Sequence, residues 1–244
     1  MNFSIIREKF IKETKDKFLK LYKINLDNRF NNPYANIKYK YILELGSIFS
    51  FFFLKINLSA NQVTFLNIFF CLLSLIFFLI NKEILIYIAL LIFFSKNILD
   101  NVDGFIARYK NKKSFFGEKL DLWCGKFYYH TILFCFGLNN FYLSKNPYSV
   151  IIVLIIFVLD YMIPKKREIK SKLNAIKKSK IIFKNIFNIS KIMNYDARTS
   201  ITDFIILIIL LEKYYQVFYL SQLLIFTFLI LKIFRNLSYF YITK

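Results

Sequence analysis

The amino-acid sequence predicts an all-α integral membrane protein: a six-transmembrane-helix bundle with an N-terminal amphipathic, interfacial helix. Three observations predict it. Of 244 residues, 57% are hydrophobic and 20% aromatic, including 31 Phe and 17 Tyr, whereas an ordinary soluble domain is about 45–50% apolar by a count that even includes Gly. The apolar residues fall in long runs, which leave too little polar surface to cover a soluble globule. The 35 Lys+Arg, set against 15 Asp+Glu for a net charge of +20, avoid those runs and collect between them, the arrangement of a polytopic membrane protein. That placement turns the charge away from nucleic acid as a partner. The same composition excludes disorder, collagen-like structure and a disulfide scaffold.

The chain divides into a basic N-terminal region, 1–58, and a membrane domain, 59–244. The N-terminal stretch carries Arg7, Lys9, Lys12, Lys15, Lys17, Lys20 and Lys23, with no uninterrupted apolar core behind them, so no cleaved signal peptide is expected. Phe3, Ile6, Phe10, Phe18 and Tyr22 recur near helical spacing. They predict an amphipathic helix on an anionic membrane face, with a solvated basic tail as the alternative.

A span needs about 20 apolar residues. Six segments qualify or nearly so: 62–81, 84–107, 116–139, 148–163, 200–214 and 217–234, the fourth and fifth being short. Tyr41–Ile56 is a rival seventh, but it is shorter and carries Glu44. Charge decides between the counts. Six spans place 30 Lys/Arg on one side and only Lys82, Lys145 and Lys213 on the other. A span at 41–56 would put the basic N-terminus and the Arg108–Lys119 loop on opposite sides. The positive-inside bias therefore favours six spans, cytoplasmic termini and an interfacial helix at 41–56. The basic loop from Pro164 to Arg198 reads as topogenic, held against anionic head groups, or as a funnel for an anionic substrate. Cys71, Cys124 and Cys135 lie in or beside apolar segments without metal-ligand spacing, as buried structural thiols do.

Ionisable residues within spans are costly and usually functional. Here they concentrate at the cytoplasmic ends of the second and third spans: Asp100, Asp103 and Arg108, then Glu118, Asp121 and Lys126. Asp100 and Asp103, three apart, share one helix face, and Asp121 comes from the helix that returns through a tight loop. Three converging carboxylates would repel strongly without a cation, and such hard oxygen ligands suit Mg²⁺ or Mn²⁺. Gly104, Gly117 and Gly125 lie in the same window, where a backbone or bulky ligand must come close. Arg108 is a bidentate donor suited to phosphate, and Ser114 adds a hydroxyl. Together these specify a metal–diphosphate site at the cytoplasmic membrane surface. The plainer alternative is that the carboxylates only pair with Arg108, Lys119 and Lys126.

The run Asp100-x-x-Asp103-Gly104-x-x-Ala107-Arg108, eight residues, then Gly117-x-x-x-Asp121 resembles the signature of the CDP-alcohol phosphatidyltransferases, a family of phosphotransferases. A weaker match, Asn61-Gln62-Val63-Thr64, resembles the family's Pro-Asn-x-x-Thr segment, with Ala60 in place of proline. The resemblance implies a six-helix membrane bundle, commonly a homodimer, behind an N-terminal interfacial helix. It implies transfer of a substituted phosphate from a CDP-alcohol, often CDP-diacylglycerol, to an acceptor alcohol with release of CMP, in phospholipid biosynthesis. Carried over by position, Asp100, Asp103 and Asp121 are the expected metal ligands. Gly104, Arg108 and Ser114 are expected along the CDP diphosphate, Asn61 to Thr64 at the nucleotide, and Ala107 and Gly117 among the substrate-binding residues. The expected location is a bacterial inner membrane, with termini and active site facing the cytoplasm.

The family signature ends in a fourth Asp, a metal ligand and general base, and here that position is Gly125. General-base help is typically worth about 10²–10⁴ in rate. Asp160 and Asp203, at about the right depth on the fourth and fifth spans, are candidate substitutes. A metal-bound water or a more acidic acceptor would need no dedicated base. His130 is rejected on geometry, lying about 13.5 Å up the helix from Asp121 and half a turn round; it reads as a satisfied histidine inside the bundle. Glu118 lies two turns nearer the cytoplasm than position 125 and is also a poor replacement. The readings are thus a transferase, a non-catalytic CDP-lipid-binding or assembly subunit, or a transporter, the last disfavoured because the charges gather at one depth. Arg198 is a candidate for an acceptor phosphate or simply one more positive-inside charge.

Overall fold

Eight α-helices make up all the regular structure of the described residues in the computed structural model, which cover 2–22, 33–112, 114–161, 198–217 and 219–243. They are α1 (Phe3–Tyr22), α2 (Pro33–Lys55), α3 (Ala60–Ile80), α4 (Glu83–Tyr109), α5 (Phe115–Ser144), α6 (Tyr148–Tyr161), α7 (Arg198–Tyr215) and α8 (Tyr219–Thr243). The basic stretch 164–197 lies outside the described residues, as do the side chains of Phe18, Tyr22 and Arg198. Helices α3 to α8 fall on the six apolar segments read from the sequence. One of them, α3, is long and apolar enough to cross a membrane by length and composition; α6 and the Tyr219–Phe234 part of α8 are shorter apolar helices.

The helix ends have a common chemistry. Asn57, Asn81, Asn111, Lys145 and Gln216 adopt positive φ just past the ends of α2, α3, α4, α5 and α7, while no glycine does. Asn tolerates the left-handed conformation better than most residues. At the end of α4 the Lys112 N–H reaches the Ala107 carbonyl at 3.0 Å and the Asn111 N–H reaches Arg108 at 3.1 Å, a Schellman closure. The end of α2 closes the same way through Leu58 and Asn57. Glycine is thereby released for close packing, as at Gly46, Gly117 and Gly137.

The chain forms two compact units. The first comprises Met1–Leu73 and Leu91–Tyr128. Its apolar core joins Ile6 and Phe10 of α1, Ile42, Phe53 and Leu54 of α2, Val63 of α3, and Leu99, Val102, Phe105 and Ile106 of α4. Ile6 and Phe10 of α1 are therefore buried against protein. Phe10 is fully buried and meets the Phe105 ring edge-on at 5.1 Å. Gly46 makes room for it, since a Cβ there would stand 2.5 Å from the Phe10 ring. Arg7 clamps Glu44 on α2 through Nε at 2.9 Å and Nη2 at 2.5 Å.

The second unit comprises Ser74–Leu90 and Tyr129–Lys244. Here α8 packs on α6 and α7, and Gly137 lets α5 approach α6, with Ser149 Oγ donating to its carbonyl at 3.1 Å. The fully buried Glu212 accepts from the Ser221 N–H at 2.6 Å and from Asn139 Nδ2 at 3.3 Å, and Asn140 donates to Ser221 at 2.7 Å. Buried carboxylates require such partners. Cys71, Cys124 and Cys135 are buried free thiols, in keeping with the sequence reading.

Candidate active site

Every signature residue lies in the first unit, and α4 sets the pattern. Asp100, Asp103, Gly104, Ala107 and Arg108 follow i, i+3, i+4, i+7, i+8 spacing and so form one stripe of the helix. Val102, Phe105 and Ile106 point into the core and hold that stripe in place. Asp103 is only 6% exposed. Its Oδ2 accepts the Thr64 hydroxyl at 2.7 Å, which fixes the carboxylate from α3.

Two caps bring the other elements to this stripe. Ser59 and Gln62 form a reciprocal cap on α3: the Ser59 N–H donates to Gln62 Oε1 at 2.8 Å and the Gln62 N–H to Ser59 Oγ at 3.3 Å. Ser114 caps α5, its Oγ accepting the Gly117 N–H at 3.0 Å. Lys110 ties the two turns together, donating to Asn57 Oδ1 at 2.6 Å and to the Leu58 carbonyl at 2.9 Å. Asn61 consequently abuts α5 so closely that a Cβ at Gly117 would stand 2.7 Å from its Oδ1. The turn between α4 and α5 also brings Asp121 back, and both it and Asp100 lie within electrostatic range of Asp103.

The cations settle differently from the pairing alternative read in the sequence. Arg108 bonds not to the signature carboxylates but to Glu13 of α1, Nε to Oε2 at 2.8 Å. Lys119 lies over the Phe115 ring, 4.2 Å from its centroid. Asp100 Oδ1 takes Lys96 Nζ at 3.0 Å, four residues back on α4. Lys96 is also within electrostatic range of Asp121. Sequence reasoning missed Lys96 and Glu13 as site residues.

Asp100, Asp103 and Asp121 offer hard carboxylate oxygens of the kind that divalent cations take, and Lys96 Nζ bonds one of them, Asp100. Among the described residues, however, no three His, Cys, Asp or Glu side chains stand close enough to hold an ion as they are. Lys96 engages Oδ1 of Asp100 and Thr64 engages Oδ2 of Asp103. At Gly125 a Cβ would meet nothing within 4 Å, so the space beside this backbone is open.

Asp160 and Asp203, singled out in the sequence, belong to the second unit. Asp160 is held by Lys232 Nζ and lies 3.5 Å from His130 Nε2. His130 itself packs between the Phe157 and Tyr161 rings at 4.8 and 5.7 Å. Asp203 lies near the start of α7.

No curated protein and no solved structure matches the chain significantly. The family model for CDP-alcohol phosphatidyltransferase does, over residues 57–234. That region takes in the Asn61–Thr64 segment, the α4 stripe, the α5 cap and helices α3 to α7 entire, well over half of the sequence. With the signature residues on one face of α4 and Asp121 returned to them by α5, the chain belongs to the CDP-alcohol phosphatidyltransferase family.

Proposed function

We propose that this protein transfers the substituted phosphate group of a CDP-alcohol, specifically CDP-diacylglycerol, to an acceptor alcohol and releases CMP. The family performs phosphatidyl transfer from a CDP-alcohol in phospholipid synthesis. The observation that carries the reading is the α4 stripe, Asp100, Asp103, Gly104, Ala107 and Arg108, with Asp121 in electrostatic range.

In this reaction the acceptor oxygen bonds to the phosphorus bearing the alcohol, the P–O bond to CMP breaks, and the acceptor proton passes to a base. Asp100, Asp103 and Asp121 would hold Mg²⁺ or Mn²⁺. A divalent cation bound there polarises the diphosphate and stabilises the charge on departing CMP. Thr64 orients the Asp103 carboxylate, and Lys96 orients that of Asp100 while offsetting part of the charge. Arg108, folded back towards the bare backbone of Gly104, offers its guanidinium to the diphosphate. Ser114 adjoins the diphosphate and Asn61 the nucleotide, the two meeting at Gly117. Asp160 and Asp203 are the proposed proton acceptors in place of the family's fourth Asp; Asp160→Asn or Asp203→Asn cripples transfer if either one serves.

The membrane setting belongs to the same proposal: six spans formed by α3 to α8, an interfacial N-terminal region through residue 58, cytoplasmic termini and active site, and a homodimer in a bacterial inner membrane. Its support is apolar side chains left exposed at helical spacing, as with Phe65, Phe69, Leu72, Ile76 and Leu79 on α3. Such stripes mark contact with lipid or protein. Tyr219, Leu223, Phe226, Ile230 and Ile233 repeat the pattern on α8.

A second reading, a CDP-lipid-binding subunit without turnover, is favoured by Gly125 alone. Both readings share the site, and Asp103→Asn tests it. The variant is expected to lose Mg²⁺-dependent CDP binding, measured by titration calorimetry. Undiminished affinity would remove the site assignment.

A further inference from the structure

One edge of Arg108 is engaged from outside the signature. Its Nε–H donates to Glu13 Oε2 at 2.8 Å, while Nη1 lies 3.2 Å from where a Cβ on Gly104 would sit. A guanidinium is a planar fork with donors in fixed directions, so anchoring Nε sets where the Nη donors point. Glu13 is anchored in turn. Its neighbours Phe10 and Thr14 are buried, Phe10 against Phe105 and Gly46, and Lys9 Nζ lies over the Tyr109 ring at 4.6 Å. The Arg108 and Glu13 side chains are 32% and 26% exposed. A pair so accessible contributes little to stability, and its consequence is orientation.

Resting on the reading that Arg108 takes a phosphate, we propose that Glu13 is a positioning residue of the transferase site. It holds Arg108 beside Gly104 with the Nη edge presented to the diphosphate of the CDP-alcohol. Helix α1 lies outside the matched family region 57–234, and this contact makes it a working part of the site. Without Glu13 the arginine must be ordered by the substrate itself, which spends binding energy on fixing a long side chain.

The test is CDP affinity, by calorimetry with Mg²⁺, of the full chain in detergent: wild type, Glu13→Ala, Glu13→Gln, Arg108→Ala and the Glu13→Ala/Arg108→Ala double variant. Glu13→Ala is expected to weaken CDP binding by roughly tenfold. Glu13→Gln, whose amide oxygen still accepts from Nε, is expected to stay within about threefold of wild type. On the Arg108→Ala background, Glu13→Ala is expected to cost nothing further. Wild-type affinity in Glu13→Ala overturns the proposal, and so does tighter binding in both Glu13 variants, which would mean that the carboxylate competes with phosphate. An equal loss on the Arg108→Ala background also overturns it, because α1 would then act only through the fold. A wild type that binds no CDP overturns the site assignment itself, and this proposal with it.

Discussion

A Cβ at Gly117 would stand 2.7 Å from Asn61 Oδ1 and 3.1 Å from Ser114 Oγ, whereas one at Gly125 would meet nothing within 4 Å. The first glycine is kept by packing and the second is not. Gly117→Ala must push Asn61 from the end of α3 or disturb the α5 cap. It is expected to destabilise the protein by about 1–3 kcal/mol and to weaken CDP binding; an unchanged thermal midpoint with unchanged affinity would contradict the packing argument. At Gly125 a Cβ has room, so packing does not require glycine there. The signature was legible because its residues recur at helical spacing along one segment. Lys96 was legible in principle, standing four residues before Asp100 on the same helix. The Glu13–Arg108 contact was not, since 95 residues separate the partners and no local period reports a contact between distant helices. Thr64 was read as a nucleotide contact, and the structure adds that its hydroxyl bonds Asp103. A spacing motif does not show which neighbours a hydroxyl will bond.

At the scale of elements, α1 and α2 are joined by the shared core and by Arg7–Glu44. The hydrogen bond from the Arg7 guanidinium holds the Glu44 carboxyl below its usual range, against a smaller opposing effect of burial. A lowered carboxylate pKa contributes stability that is fully present above the ordinary glutamate value of about 4.3. That contribution is lost as pH falls through the lower folded value. Hydrogen-exchange protection of α1 is therefore expected to be flat from neutral pH down to that range and to fall below it, with Glu44→Gln removing the step. A step that survives in Glu44→Gln would assign it to another group. The apolar runs located α3 to α8, but they set the ends too early where polar residues continue a helix. The third segment was read to 139, whereas α5 runs through Asn139 and Asn140 to Ser144 and ends at Lys145 in the left-handed conformation. Asn139 Nδ2 donates to Glu212 and Asn140 Nδ2 to Ser221, partners that apolar periodicity does not reveal. Likewise α2 begins at Pro33, upstream of the apolar run at 41–56, since proline suits the first turn of a helix.

For the whole molecule, the proposed topology rests on 30 Lys/Arg against three. Single cysteines near position 2, in the 110–114 turn and near the C-terminus are expected to react with impermeant maleimide from one side of the membrane. Cysteines at 82 and 145 should react from the other. The native thiols are buried and add little background. Labelling of residue 2 opposite to the 110–114 turn would restore 41–56 as a span. The central claim, that this membrane site performs CDP-alcohol chemistry, is tested most directly by metal-dependent CMP release. Purified wild type would be assayed with CDP-diacylglycerol and a panel of acceptor alcohols, beside Gly125→Asp. The account predicts wild-type release that needs Mg²⁺ or Mn²⁺ and one class of acceptor. It also predicts a faster Gly125→Asp, by up to about 10²–10⁴ where general-base help limits the rate. A silent wild type with an active Gly125→Asp would contradict the transferase assignment and favour the binding subunit; silence in both would contradict the chemistry itself.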